Sequence, residues 1–97
     1  MTKQFFVYLL ASKKGGVLYV GVTSQLLTRI WQHRNDIIIG FTSRYHVHRL
    51  VYVEAFASAD DAIAREKQLK RWRRAWKITL IEADNPEWRD LYDDIAP

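Results

Sequence analysis

Five side chains carry the parts that phosphodiester hydrolysis requires: Tyr8, Tyr19, Arg29, His33 and Glu66. The reaction needs a deprotonated water, a cation facing the charge that develops on phosphate, and a neutralised leaving oxygen. One carboxylate holding a divalent cation, one arginine and one acid/base side chain meet that minimum. Mg²⁺ commonly keeps several waters and takes only one or two protein carboxylates. Glu66 is the one acid inside the basic run Arg65–Lys77. Arg29 and His33 lie four apart, on one face of a helix. Tyr8 and Tyr19 lie on one face of a hairpin. The five are expected to converge on one side of a sheet. Singly, each has a plainer role: half-buried packing for a tyrosine, a solvated helix edge for Arg29 and His33, and an ion pair with Lys70 for Glu66. The chemistry therefore requires a Glu66 free of neighbouring cations and close to the hairpin hydroxyls. His46-x-His48 offers two imidazoles, but no carboxylate or Cys stands at a fitting spacing, so no metal is expected there. A phosphate-cradling Gly-rich loop, His-Glu-x-x-His and Gly-x-Ser-x-Gly are all missing from the sequence.

The elements that position these residues follow from hydrophobic patterning. Phe5–Ala11 is apolar on both faces, as in a strand buried on both sides. Ser12-Lys13-Lys14-Gly15-Gly16 marks a turn, and Val17–Val22 reads as the returning strand. A turn centred between Lys13 and Lys14 sets Tyr8 opposite Tyr19 and Phe6 opposite Gly21. Ser24 is expected to cap a helix from about Gln25 to Ile38, closed by Gly40. Its apolar stripe is Leu26, Leu27, Ile30, Trp31, Ile37 and Ile38, with Arg29 and His33 at the margin. A polar loop through Thr42-Ser43-Arg44-Tyr45 leads to a third strand, Arg49–Phe56. Ser58 with Asp61 resembles a capping box. It opens a helix to about Arg74, with a turn or second helix from Trp76 to Glu82. Ala62, Leu69, Trp72 and Trp76 are its expected buried face. Glu66, four after Ala62 and three before Leu69, projects toward the sheet. The order β-β-α-β-α-α predicts a small layered α/β domain: a three-stranded, mainly antiparallel sheet flanked by helices.

Composition narrows the classes. Ninety-seven residues, 48% hydrophobic and 27% charged, suit one globular domain with a modest core. Cysteine is absent, which removes disulfides, thiolate nucleophiles and sulfur-bound zinc, and suits a cytoplasmic protein. No apolar run reaches the roughly 18–20 residues of a membrane span. Met1-Thr2-Lys3-Gln4 runs straight into strand-like sequence, without the pattern of a signal peptide. The net charge of +4 hides an asymmetry. Seven basic residues and one acid lie between Arg65 and Lys77; six acids and one base lie from Glu82 onward. The basic helix suggests a polyanion partner, with the acidic terminus packed near it as a partial shield.

Taken in order, the motifs resemble a known family. Phe6-Val7-Tyr8 followed by Leu18-Tyr19-Val20-Gly21 is similar to the paired motif of the GIY-YIG nuclease superfamily. Arg29 and His33 fit the Arg-x-x-x-His of its first helix. Ala62-Ile63-Ala64-Arg65-Glu66 resembles the helix that ends in its metal-binding glutamate. Thr42-Ser43-Arg44-Tyr45, Leu50-Val51-Tyr52, Lys67-Gln68-Leu69-Lys70 and Asn85-Pro86-Glu87-Trp88 look like the small stand-alone branch with a URI-type domain. The resemblance implies that residues 1–97 form a single GIY-YIG-like domain acting as a metal-dependent DNA endonuclease. Branched, damaged or single-stranded DNA, in repair or recombination, is the implied substrate. It implies that Glu66 binds one Mg²⁺ or Mn²⁺, Arg29 stabilises the phosphate charge, Tyr8 or Tyr19 positions or deprotonates water, and His33 assists proton transfer. Three positions depart from family patterns: Phe6 stands where the first motif has Gly, Val22 where repair enzymes have lysine, and Ile78 where some members have Asn. With no added DNA-binding domain, Lys13, Lys14, Arg44, Lys70, Arg71, Arg73, Arg74 and Lys77 are the expected phosphate contacts. A module that binds nucleic acid through a dormant nuclease site is the alternative.

Overall fold

The central strand of the sheet is the segment that is apolar on both faces. In the computed structural model, which describes residues 3–96, β1 (Phe5–Ala11) lies between β2 (Leu18–Thr23) and β3 (Arg49–Phe56). Met1 and Thr2, read as leading into that strand, lie outside the described residues, as does Pro97. Both pairings are antiparallel, with a bulge in β3 at Val51, opposite Leu9 and Leu10. Val7 through Ala11 are fully buried because each face of β1 is covered by a separate layer.

The faces alternate as the pleat demands. Val7, Leu9, Ala11 and Val20 pack with Ala62 and Leu69 of α3 (Ala59–Arg71) and Ile81 of α4 (Arg74–Asp84). Tyr8 and Leu10 pack on the other face with Leu26 and Ile30 of α1 (Leu26–Arg34). The result is a helix–sheet–helix sandwich, as the sequence pattern predicts. It carries two additional one-turn helices, α2 (Phe41–Arg44) and α5 (Tyr92–Ile95). Around α5, Leu91, Tyr92 and Ile95 close the α1 side.

Several local expectations are corrected. The hairpin pairs Tyr8 with Gly21 and Leu10 with Tyr19, two residues from the register expected. The turn closes at Ser12 and Val17, whose backbone bond (3.0 Å) is backed by Ser12 Oγ accepting from Val17 N–H (2.9 Å). Gly15 takes the left-handed conformation (φ 71°), so the loop spends four residues where two were expected. A shift of two preserves the faces, and Tyr8 and Tyr19 still share one.

The first helix ends at Arg34, well before Ile38. Asp36 turns left-handed (φ 54°), and Ile37 N–H returns to Gln32 C=O (2.9 Å), a Schellman-type stop. Trp31, within α1, and Ile37, beyond it, are more than half exposed, and the buried side of α1 is Leu26, Ile30 and His33. Gln25, not Ser24, is the N-cap; its N–H is taken by Thr23 Oγ1 (3.0 Å). Gly40 opens α2 at φ 146° and does not close α1. The supposed loop Thr42–Tyr45 is largely that helical turn.

Ser58 caps α3 as expected, accepting from Asp61 N–H (3.4 Å). The chain breaks at Trp72–Arg73 and starts α4 at Arg74. Trp76, expected in the core, is half exposed on α4, its ring edge-on to Trp72 across the corner (6.0 Å). Asn85 pins the end of α4: Nδ2 donates to the carbonyls of Val51 (3.2 Å) and Arg89 (2.8 Å), and Oδ1 accepts from Arg89 N–H (2.9 Å).

Candidate active site

Four of the five sequence candidates meet on the α1 face, Arg29 close enough to act on both Tyr8 and His33. The Tyr8 hydroxyl lies 2.9 Å from His33 Nε2, and His33 Nδ1 lies 3.0 Å from Thr42 Oγ1. With the ring proton on Nδ1, Tyr8 donates to Nε2 and Nδ1–H donates to Thr42. Tyr19 completes the cluster, its ring centroid 6.3 Å from Tyr8 and 5.4 Å from His33. Phe41 stacks on Tyr19 at 6.3 Å. Tyr8 and His33 are buried, whereas Tyr19 is half-buried. His33 therefore belongs to the core side of α1 and not its margin, because it follows Ile30 by one turn.

Gly21 makes the Tyr8 placement possible. A Cβ there would lie 2.2 Å from Tyr8 Cζ and 2.3 Å from its hydroxyl, so the phenol lies directly across the glycine backbone. A close approach, not a turn, is what this glycine serves.

Burial sets the ionisation of the pair. Desolvation, reinforced by Tyr19 and Glu66, drives the Tyr8 phenol well above its ordinary pKa of 10.0, against the opposing pull of Arg29. Desolvation, then the charges of Arg29 and His48, lower His33 from 6.5 to about 4. At neutral pH both groups are uncharged: a protonated phenol facing a neutral imidazole able to accept its proton. Arg29 is half-buried and lines a cavity of about 280 Å³ with Thr23, Gln25, Thr28 and Gln32.

Glu66 comes from the other layer. The expectation that all five residues share one side of the sheet is wrong, because α3 packs on the Val7/Leu9 face and α1 on the Tyr8/Leu10 face. Glu66 still points sheetward between Ala62 and Leu69, and its charge is felt at Tyr8. Its side chain is 14% exposed and paired with Lys70 at 3.2 Å, the plain i,i+4 role that its spacing allowed. The condition of a free carboxylate is thus not met. Lys70, however, is 54% exposed, and such a pair contributes only about 0.3–0.5 kcal/mol. One hard carboxylate with a displaceable partner fits an ion of the Mg²⁺ class, which retains most of its waters.

The basic residues divide. Lys13, Lys14, Arg44, Lys70, Arg71, Arg73 and Arg74 are exposed, and Lys77 is half-buried with its pKa lowered by desolvation and by Arg74. Arg74 donates to the carbonyls of Gly15 and Gly16 (2.7 Å each), which joins the Lys13–Lys14 turn to the start of α4. Arg65 is spent internally, on both oxygens of Glu54 (2.9 Å each) and over the Trp72 ring (5.0 Å). The acidic terminus does not shield the basic helix among the described residues. Its ion pairs are Asp90 with Arg34, Glu87 with Lys14 and Asp94 with Arg89.

Sequence reasoning missed Thr42 as the partner of His33 and the close approach of Tyr8 to Gly21. A Thr nine residues after a histidine carries no periodic signal, and a glycine in a strand is only a general pointer to close approach.

Comparison with known proteins places the fold in a family. A family model described as the GIY-YIG catalytic domain matches residues 4–79. The chain belongs to the GIY-YIG family. Within this nuclease family it is similar to a UPF0213 protein of Lacticaseibacillus paracasei, 31% identical over 88 residues that cover 91% of this chain and 98% of that relative. It is also similar to UPF0213 protein CPE1444 of Clostridium perfringens, 35% identical over 78 residues, or 80% and 83% of the two chains. The solution NMR structure of UPF0213 protein BH0048 from Bacillus halodurans shares the fold, with a TM-score of 0.57 and 26% identity over 97% of this chain and 99% of that one. Tyr8, Tyr19, Arg29, His33 and Glu66 all fall inside the matched family region.

Proposed function

We propose that this chain is a divalent-metal-dependent endonuclease that hydrolyses DNA phosphodiester bonds, with branched, damaged or single-stranded DNA as substrate. The observation that carries the reading is the buried contact between the Tyr8 hydroxyl and His33 Nε2. A phenol held well above its ordinary pKa cannot act as a preformed phenolate. It can act as a relay: the Tyr8 oxygen takes the water proton while its own proton passes to His33 Nε2. Thr42 fixes the imidazole for this transfer. Arg29 faces the developing phosphate charge, and Tyr19, the more exposed phenol, orients the attacking water. Glu66 would hold the ion, Mg²⁺ or Mn²⁺, which supplies Lewis-acid charge at the phosphate when bound.

Lys13, Lys14, Arg44, Lys70, Arg71, Arg73, Arg74 and Lys77 would supply phosphate contacts that position DNA without reading bases. A second reading, a nucleic-acid-binding module with a dormant site, is favoured by the Glu66–Lys70 pair and by the full burial of Tyr8.

One assay separates them. Single-stranded, duplex and branched DNA is incubated with wild type, Glu66→Gln and Arg29→Ala in Mg²⁺ or Mn²⁺. The nuclease reading expects cleavage that falls about 100-fold or more in either variant while DNA affinity changes little. Equal cleavage by wild type and Glu66→Gln, or DNA binding with no cleavage on any substrate, overturns it in favour of the binding module.

A further inference from the structure

The fold brings a carboxylate to the two imidazoles that lacked one in sequence. Asp36, His46 and His48 each offer a ligand atom, and these atoms lie within 4.8 Å of one another. His48 Nε2 already meets Asp36 Oδ1 at 2.7 Å, and the His46 and His48 ring centroids are 6.1 Å apart. Ligand atoms around a tetrahedral zinc stand roughly 3.4 Å apart, given bonds of about 2.0–2.1 Å. Asp36 and His46 are exposed and His48 is half-buried, so their side chains have room to rotate toward that spacing.

The backbone at two of the three is unusual. Asp36 (φ 54°) and His46 (φ 55°) occupy the left-handed positions that follow α1 and α2. Glycine is the usual residue there. Here the two positions carry a carboxylate and an imidazole, and the turns that fix them are hydrogen-bonded: Asp36 N–H to His33 C=O (3.2 Å) and Val47 N–H to Thr42 C=O (2.9 Å). Beside them, His46 and His48 line a cavity of about 300 Å³ with Ser12, Arg34, Arg49 and Asp90. The cations of that wall are engaged, Arg34 by Asp90 and Arg49 by the Trp88 carbonyl (3.0 Å).

We propose that Asp36, His46 and His48 bind a transition-metal ion of the zinc class, at a site separate from Glu66. Two imidazoles and one carboxylate select Zn²⁺, Co²⁺ or Ni²⁺ over Mg²⁺. Three protein ligands leave one coordination position for water. The ion ties the turn after α1 to the lead-in of β3, bracketing the segment that carries Thr42, the partner of His33.

The test uses the full chain free of any histidine tag. Co²⁺ is titrated and followed by visible absorption, and Zn²⁺ is followed by thermal melting. With millimolar Mg²⁺ present to fill the Glu66 site, one Co²⁺ per chain and a Zn²⁺-dependent rise in Tm are expected. His46→Asn, which keeps a residue tolerant of the left-handed backbone, and His48→Ala each weaken Co²⁺ binding at least tenfold; Asp60→Asn, at an exposed acid on α3, leaves it unchanged. No binding at millimolar Co²⁺, unchanged affinity in both histidine variants, or an equal loss in Asp60→Asn overturns the proposal.

Discussion

His33 is the residue on which the site turns, and its environment makes a measurable claim. It is buried between Tyr8 and Thr42, faces the charges of Arg29 and His48, and keeps its neutral form down to about pH 4. In the unfolded chain the same ring protonates near its ordinary 6.5. The unfolded state therefore binds more protons between these values, so His33 contributes stability above pH 6.5 that is lost as pH falls toward about 4. Thermal melts from pH 7 to 4 should show this loss, and His33→Gln should flatten that part of the curve. Identical pH profiles for wild type and variant would contradict the assignment.

At the scale of the element, the connection after α4 is held by a side chain and not by regular structure. Asn85 is buried, and its amide closes three hydrogen bonds between β3, α4 and the Arg89 turn. Asn85→Ala leaves the Val51 and Arg89 carbonyls and the Arg89 N–H without their partner. Urea denaturation should register a loss of about 2–3 kcal/mol. Exposed Glu87, two residues on, is the control, and its replacement by alanine should change stability by less than about 0.5 kcal/mol. The family-like run Asn85-Pro86-Glu87-Trp88 thereby acquires a structural meaning: Asn85 pins the backbone and buried Trp88 donates from Nε1 to Glu82 (2.8 Å).

For the whole molecule, charge distribution decides how DNA would be held. Three of the six acids in the C-terminal segment, Glu87, Asp90 and Asp94, pair with Lys14, Arg34 and Arg89, whereas Lys13, Arg71 and Arg73 are exposed along the hairpin turn and the α3–α4 corner. Binding through such residues should weaken steeply with salt, each phosphate contact contributing about −0.9 to the slope of log K against log salt. The double substitution Arg71→Ala/Arg73→Ala should reduce that slope by about 2 with no preference among sequences. A slope unaffected by the pair would move the DNA to another face. None of the described helices is long and apolar enough to cross a membrane.

The sequence by itself determined the strands, the order of the elements and the shared face of Tyr8 and Tyr19. These follow from local patterning: β1 and β3 start and stop where their apolar runs do, Ser58 caps α3, and Tyr8 and Tyr19 share a face under any even register shift. Only the tertiary structure decided which residues meet. Left-handed turns at Gly15 and Asp36 set the hairpin register and ended α1 early, and such turns depend on few residues. Burial of His33, the seat of Tyr8 across Gly21 and the approach of Asp36 to His46 and His48 are contacts between distant segments. Periodicity carries no information about such contacts, because it describes one element at a time.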